Sequence, residues 1–599
     1  TEGRGGHAVN KKKTTPAGRI FRFTMSTKVR TVKVLNGSDA EVIEYIVNPD
    51  SLITKAPIKD LHLPDDAVIG GIIRGNEAII AVGDTRIKPY DRVVIFALPT
   101  ALHRIERYFA YFSTYYKSIN YRIMIEYKFK TSGKTRSEHD LLGDKEVPAE
   151  ALFGVQTLRC LENFDISRNL LGDHPQFVKA FGIVKMGAIL ANHDLGLVSD
   201  EITEAVVAAC KELMEGKHTE HFPIDMIQGG AGTSANMNAN EVIANRALEI
   251  MGKKHGEYTF IHPNDHINMA QSTNDAYPTA MHLGLYMIHQ DLMASMKALA
   301  KSFRAKQRSF ANIIKMGRTQ LQDAVPMTLG QTFGAFATAV ETEMKRLDAA
   351  AQEFLVINMG ATAIGTGITA EPGYAEACTK HIKKISGWKI SLAKDLVEAT
   401  NDTSCMVCYH AELKNIAIRI SKICNDLRLL ASGPRTGLAE INLPPKQPGS
   451  SIMPGKVNPV IPEVTNQVCF KVIGNDTCIT MASEAAQLEL NVMEPVLVES
   501  MVESMTWMTN ALNTLRIECV DGITANKKHC KALAEHSIGI VTALKPYIGY
   551  AKCTEVAKEA LVSGGSVYQL VLDKKYLTKA QLDKILDPKN MVKPTKVEL

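Results

Sequence analysis

Between Thr436 and Glu463 the chain reads TGLAEINLPPKQPGSSIMPGKVNPVIPE. Prolines at 444, 445, 448, 454, 459 and 462 bar regular helix, because each lacks a backbone N–H and fixes its φ. A structureless stretch of roughly 25 residues inside a compact region is uncommon and is usually functional or disordered. Its centre holds two hydroxyls (Ser450, Ser451), an ammonium (Lys456), an amide (Asn458) and two glycines, beside Ile452, Met453 and Val457. Those apolar residues call for burial, which a disordered linker does not. Glycines supply bends and backbone N–H groups, and Lys456 with Asn458 can bind an anion, so the segment reads as a lid over an anionic ligand. A surface-packed Ω-loop has a similar composition.

Two other polar segments stand out: GGAGTSANMNANE at 229–241 and QSTNDAYPT at 271–279. Alone, the first is a glycine turn or a weak phosphate loop, and the second a helix start or Asx turn. Cys405 and Cys408 form a lone CxxC with no strand–helix context, so helix packing explains them better than redox chemistry. His218 and His221 could share a helix face and bind metal, but surface placement is expected. GGIIRG at 70–75 has no helix after it and is no dinucleotide fingerprint. Asp395 and Glu398 read as helix-start charges.

The elements that must position these groups are long helices. Leu285, Ile288, Leu292, Met296, Leu299 and Phe303 recur at spacings of three and four, one face of a long helix. Similar stretches run near 325–356, 403–431 and 462–516, with a smaller helical tail at 526–599. Such helices pack as a bundle.

The three polar regions together resemble the aspartase/fumarase superfamily: GGAGTSANMNANE, QSTNDAYPT with GRTQLQDAVPMTLGQ at 317–331, and GSSIMPGKVNP at 449–459, in that order. The resemblance spans about residues 140–590. The run INLPPKQPGSSIMPGKVNPVIPEVTNQVCFKVIGND at 441–476 is similar to the ammonia-eliminating branch, and implies cofactor-free conversion of L-aspartate to fumarate. Where fumarases carry a His after GRT, this chain has Gln320, which cannot titrate beside Glu463. Water addition by a fumarate hydratase is the alternative that Gln320 counts against. By resemblance, Thr233, Ser272 and Thr273 with the Ser451 backbone N–H hold the β-carboxylate. Lys456 and Asn458 anchor the α-carboxylate. Asn274, Thr319 and more loosely Gln320 face the amine, and Ser450 is the catalytic base. Asn236, Asn238 and Glu241 are expected as scaffold. The resemblance also implies a homotetramer whose helical core builds each site from three chains. No cofactor and no metal ligand is expected; the partners are a small-molecule substrate and further copies of the chain, with neither nucleic acid nor membrane insertion.

Residues 18–110 resemble the C-terminal domain of RCK (TrkA-type) potassium-transport regulators. EYIVNPD at 44–50 and RGNEAIIAVGDTRIKPYDRVVIFAL at 74–98 carry the likeness. Strand-like runs fall at 31–35, 42–47, 67–75, 77–82 and 92–98, with a helix at 101–109. This part is either a fused regulatory domain or the tail of a neighbouring reading frame, which the aperiodic stretch after it favours. A ligand-sensing regulator with an inactive lyase part is the competing reading of another class.

The expected order is a basic tail at 1–26, the RCK-C-like α+β domain at 27–112, a linker at 113–139, a lyase N-terminal domain at 140–275, a helix-bundle domain at 276–525 with its catalytic loop at 445–459, and a helical C-terminal domain at 526–599. The fold class is therefore mainly α. The first 135 or so residues carry about +9 of a net +5, but their charges are scattered among strands without the aromatic–basic motifs of nucleic-acid binding. No apolar run reaches eighteen residues, and eleven unevenly spaced cysteines fit a reducing compartment, so a cytoplasmic location is expected.

Overall fold

The computed structural model describes residues 29–34, 41–49, 51–64, 66–75, 77–98, 101–109, 127–595 and 598. The basic tail expected at 1–26 and the linker from 113 to 126 lie outside them. The chain forms two compact units, 1–126 and 127–599.

The first unit is an antiparallel sheet of β1 (Val29–Val34), β2 (Glu41–Ile46), β3 (Ala67–Arg74), β4 (Glu77–Ile79) and β5 (Arg92–Ala97), in the order β1-β2-β5-β3-β4. Period-two alternation sends Ile43, Tyr45, Val93 and Ile95 to one face, and the register shift between Ile69 and Gly71 lets both Ile69 and Ile72 join them. There they meet helix α1 (Leu102–Phe109), and Tyr45 stacks on Phe109 with ring centroids 4.3 Å apart.

The second unit opens on a hairpin, β6 (Thr135–Asp140) with β7 (Gly143–Pro148). Residues 127–139, expected as linker, are folded into this unit. The strand escapes a hydrophobicity reading because its inward positions are charged. Arg136 donates to the carbonyls of Pro148, Ala151 and Phe153, and Glu138 accepts from Val155 N. Helices α2 (Val155–Asn163), α3 (Pro175–Asp194), α4 (Asp200–Met214) and α5 (Thr233–Ile250) follow. Buried Glu241 caps α2, accepting from the backbone N–H of Gly154, Gln156 and Thr157 and from the Thr157 hydroxyl.

The centre is a bundle of α6 (Thr273–Ser309), α7 (Leu329–Ala351), α9 (Ser404–Leu430), α10 (Val460–Glu484) and α11 (Glu494–Glu518), with α8 (Tyr374–Ser386) packed on α3. Leu285, Ile288, Leu292, Met296, Leu299 and Phe303 are buried along α6, as their spacing predicts. The stretch expected as helix from 325 begins as a strand instead: β8 (Ile314–Thr319) and β9 (Gln322–Thr328) form a hairpin before α7. The stretch at 462–516 is two helices, broken at 485–493. The tail is α12 (Lys527–His536), α13 (Lys545–Ser563), α14 (Val567–Asp573) and α15 (Lys579–Ile585) around their own core. No helix among the described residues is long and apolar enough to cross a membrane.

Candidate active site

The segment before α5 turns through three left-handed residues, Gly230, Ala231 and Gly232. Only glycine fits at 232: a Cβ there would meet the Tyr277 ring at 2.4 Å. The turn exposes Thr233, whose hydroxyl donates to Gly230 O at 2.7 Å. Ser272 caps α6, accepting from Asn274 N, while Asp275 accepts from Ser272 N in return. Asp275 also accepts from Gly360 N and Thr362 N, each at 3.0 Å, and burial pushes its carboxyl up to about 6. The helix-start reading of QSTND therefore describes its local geometry correctly. Asn274 Nδ2 donates to Ala363 O at 2.7 Å. Asn236 on α5 reaches Thr273 Oγ1 at 3.4 Å, so the first two polar regions meet within one chain.

Thr319 and Gln320 lie elsewhere, exposed at the tip of the β8–β9 hairpin. Thr319 pairs with Gln322, leaving Gln320 (φ 53) and Leu321 (φ 62) as a two-residue turn with both φ positive. That turn favours Asn-Gly, so holding Gln-Leu in it stores strain of about 1 kcal/mol or more at the tip. Below it, Arg318 and Lys315 clasp the fully buried Glu440 at 2.6 and 3.1 Å. The strand Ile441–Asn442 beyond Glu440 pairs with Thr524–Ala525.

The proline-rich loop starts there. Lys446 is tied to Glu518, and Gly449 N donates to Lys456 O at 2.7 Å, closing the tip on itself. Asn458 Nδ2 donates to Gly449 O at 2.7 Å, so one of its two N–H bonds braces the loop. Ser450 Oγ accepts from the backbone N–H of Ile452 at 3.2 Å and of Met453 at 3.1 Å. Lys456 and Ser451 are exposed. Ile452, Met453 and Val457, which their chemistry expects to be buried, are exposed too, Ile452 by 84 %.

The predicted residues thus form two groups. Thr233, Ser272, Thr273 and Asn274 gather at the N-terminus of α6. Thr319 with Gln320 and the 449–458 loop are rooted toward its other end, the hairpin through Arg318 on Glu440 and the loop through Lys446 on Glu518, where Lys306 of α6 donates to Asp521 O and Ile523 O. Helix α6 has 37 residues and is about 55 Å long. Ser450 cannot cross that span, being only four residues from tethered Lys446, or about 14 Å. Among the described residues no hydrogen bond or ion pair joins the two groups.

Other candidates resolve locally. A cleft of about 560 Å³ beside α12 and α15 is lined by Ile314, Ile540, Tyr568 and Leu586 and by none of the predicted residues. His221, expected at the surface, is buried against Phe129 because its ring fills the space beside Leu152; burial pulls its imidazole down to about 4. With His218 and Glu220 it forms the one trio of metal-ligand type among the described residues. Leu152 N donates to its Nδ1 and Glu212 holds His218 Nε2, so both imidazoles are engaged. Cys405 sits beside His282 in the bundle, and all eleven cysteines are free thiols.

One residue that the sequence reading missed belongs here: Lys185 on α3, fully buried, donates to Asn236 Oδ1, Gln271 Oε1 and Asn268 Oδ1. Its signal was available as the single charge in the apolar run FGIVKMGAIL at 181–190.

Comparisons with known proteins agree with this architecture. Residues 143–474 match the family model described as Lyase, 540–593 match the fumarase C C-terminus, and 42–110 match the TrkA-C domain. An aspartate ammonia-lyase of Pseudomonas aeruginosa is 54 % identical over 466 residues, 78 % of this chain and 98 % of that one. The crystal structure of a cobalt-bound fumarate lyase:delta crystallin from Brucella melitensis is 50 % identical, with a TM-score of 0.75 over 77 % of this chain and all of that one. A class II fumarase from Schistosoma mansoni is 31 % identical, with a TM-score of 0.72 over 76 % of this chain and 99 % of that one. With its long-helix bundle, its three polar segments in order and these matches, the chain belongs to the lyase family of the aspartase/fumarase superfamily.

Proposed function

We propose that this carbon–nitrogen lyase is an aspartate ammonia-lyase, converting L-aspartate to fumarate and ammonia. Identity of 54 % across nearly the whole of an enzyme of that name carries the reading. Gln320 at the hairpin tip, which offers no titrating imidazole, favours it over water addition.

The reaction removes a proton from the carbon beside the β-carboxylate. The electron pair left behind is tolerable only if it spreads onto that carboxylate as an enediolate, before the C–N bond breaks and ammonia leaves with its electrons. Donors must be waiting where that charge develops. Thr233, Ser272 and Thr273 take this task at the start of two helices, with Ser451 N–H from the loop. Lys456 and Asn458 anchor the α-carboxylate, while Asn274 and Thr319, with Gln320 beside them, face the amine. Ser450 is the base. Two backbone N–H groups on its Oγ support that role, since donors aimed at an oxygen stabilise its ionised form.

No single chain brings these groups together, so the site is assembled between copies in a homotetramer. Apolar side chains exposed on the bundle, among them Ile418, Val464, Phe470, Met481 and Trp507, support that assembly. We divide the chain at 126/127, with the RCK-C-like part dispensable for the chemistry. Ultraviolet detection of fumarate from L-aspartate, run beside L-malate, tests the activity; turnover of malate without aspartate would overturn it.

A further inference from the structure

We infer that Lys185 is a positioning residue for the carboxylate end of the site: acting through Asn236, it sets the direction of hydrogen bonding at Thr273, so that the Thr273 hydroxyl has its proton free for the substrate. The inference rests on the reading of Thr273 as a carboxylate ligand.

The geometry is a relay with one allowed direction. An ammonium has three donors and no acceptor. Lys185 spends them on three neutral oxygens: Asn236 Oδ1 at 2.7 Å, Gln271 Oε1 at 2.8 Å and Asn268 Oδ1 at 3.2 Å. Asn236 must therefore turn its carbonyl to the lysine and its Nδ2 away, toward Thr273 Oγ1 at 3.4 Å and Asn268 Oδ1 at 3.1 Å. A hydroxyl that accepts from one side keeps its single proton for the other. Were the amide reversed, Asn236 would present an oxygen to Thr273, and the threonine proton would point inward.

The electrostatics favour an anion in front of the site. Asn236 lies in the first turn of α5, and Gln271 immediately precedes Ser272, the cap of α6. A cation behind two helix N-termini sits at the positive end of both dipoles. Burial pulls the ammonium down to about 7. The titratable groups facing it are Asp275 on α6, Cys210 on α4 and Cys378 on α8, and Tyr374 on α8 lies behind Cys378; only Asp275 brings a carboxylate. Asp275 is committed to Ser272, Gly360 and Thr362 N–H groups. A carboxylate docking in front of Thr233 and Thr273, and still more an enediolate, adds negative charge before the same two helix N-termini and favours the ammonium form of Lys185.

The test is a double-mutant cycle in the assembled enzyme: Lys185→Met, Thr273→Val and the pair, read as kcat/KM for L-aspartate with melting temperature and assembly checked. Each single change should cost about 10²-fold, and the double variant should be no more than about threefold below the worse single. A residue that merely holds the fold would give losses that multiply, and multiplication overturns the inference. Asn236→Asp gives a second, independent reading. It keeps an oxygen for Lys185 but offers Thr273 an acceptor, so kcat/KM should fall at least about tenfold with the fold intact; full activity overturns the inference. If Lys185→Met fails to fold, the cycle of Asn236→Asp with Thr273→Val decides by the same criterion. Full activity of Thr273→Val alone is a different failure, for it removes Thr273 from the site.

Discussion

Mixing two dead variants should restore activity. Ser450→Ala lacks the base and keeps the Thr273 end; Thr273→Val lacks a carboxylate ligand and keeps the base. Thr273 begins a helix of 37 residues, about 55 Å long, and Ser450 is tethered by Lys446 at the far end. In the proposed assembly the two residues of one chain therefore serve different sites. In tetramers reassembled at random from an equal mixture, half of the Ser450 positions and half of the Thr273 positions are intact. Independent draws leave about a quarter of the sites complete, so activity should reach roughly a quarter of wild type. A three-to-one mixture should give about a fifth. The assay is fumarate formation after the differently tagged variants are denatured together and refolded, with mixed tetramers verified by sequential capture on both tags. Mixed tetramers that stay inactive at every ratio would refute the argument, since they require both residues to act in the same chain.

Ser450→Ala alone should lower kcat by about 10³-fold or more with little change in substrate affinity, because it removes the base; near-normal turnover in a folded tetramer ends that assignment. Lys456→Ala should raise KM and lower kcat together, its charge anchoring substrate in ground and transition states alike, and an unchanged KM counts against the carboxylate role. Deleting residues 1–126 should leave aspartate turnover intact, whereas deleting 1–140 removes β6 with Arg136 and Glu138 and should lower the melting temperature by several degrees, at about 1–3 kcal/mol for each lost buried bond. Equal behaviour of the two truncations would contradict the boundary at 126/127. Lys185, fully buried, has a folded pKa of about 7, below its ordinary 10.5. The unfolded chain thus holds the extra proton between those values, and wild-type stability should rise relative to Lys185→Met as pH climbs through that window, by roughly 5 kcal/mol at most. Parallel denaturant midpoints from pH 7 to pH 10 would show that the buried lysine keeps its proton through that range, against a lowered pKa.

What was legible in the sequence was whatever leaves a periodic or steric mark. Prolines from 444 to 462 announce the loop, and the three-and-four spacing from Leu285 to Phe303 announces α6. The β8–β9 hairpin stays hidden because Gln320–Leu321 occupies a turn usually signalled by Asn-Gly. Strand β6 stays hidden because Arg136 and Glu138 bond to backbone rather than pack on apolar neighbours. Lys185 shows in the sequence only as a lone charge in an apolar run: its partners Asn236, Asn268 and Gln271 lie 51 to 86 residues away, and only the fold brings them round one ammonium. The separation of the predicted residues into two groups is a matter of length along α6, a distance that no motif records.

That separation bears on how the enzyme comes into being. On the proposed assignment a newly synthesised chain folds with its base, Ser450, and its carboxylate ligands too far apart to touch the same molecule of aspartate. In the proposed assembly catalysis begins only when copies meet, so activity would depend on protomer concentration and would fall on dilution while each chain is still folded. In that assembly a cell holding two differently damaged versions of this chain would still build working centres from their undamaged parts.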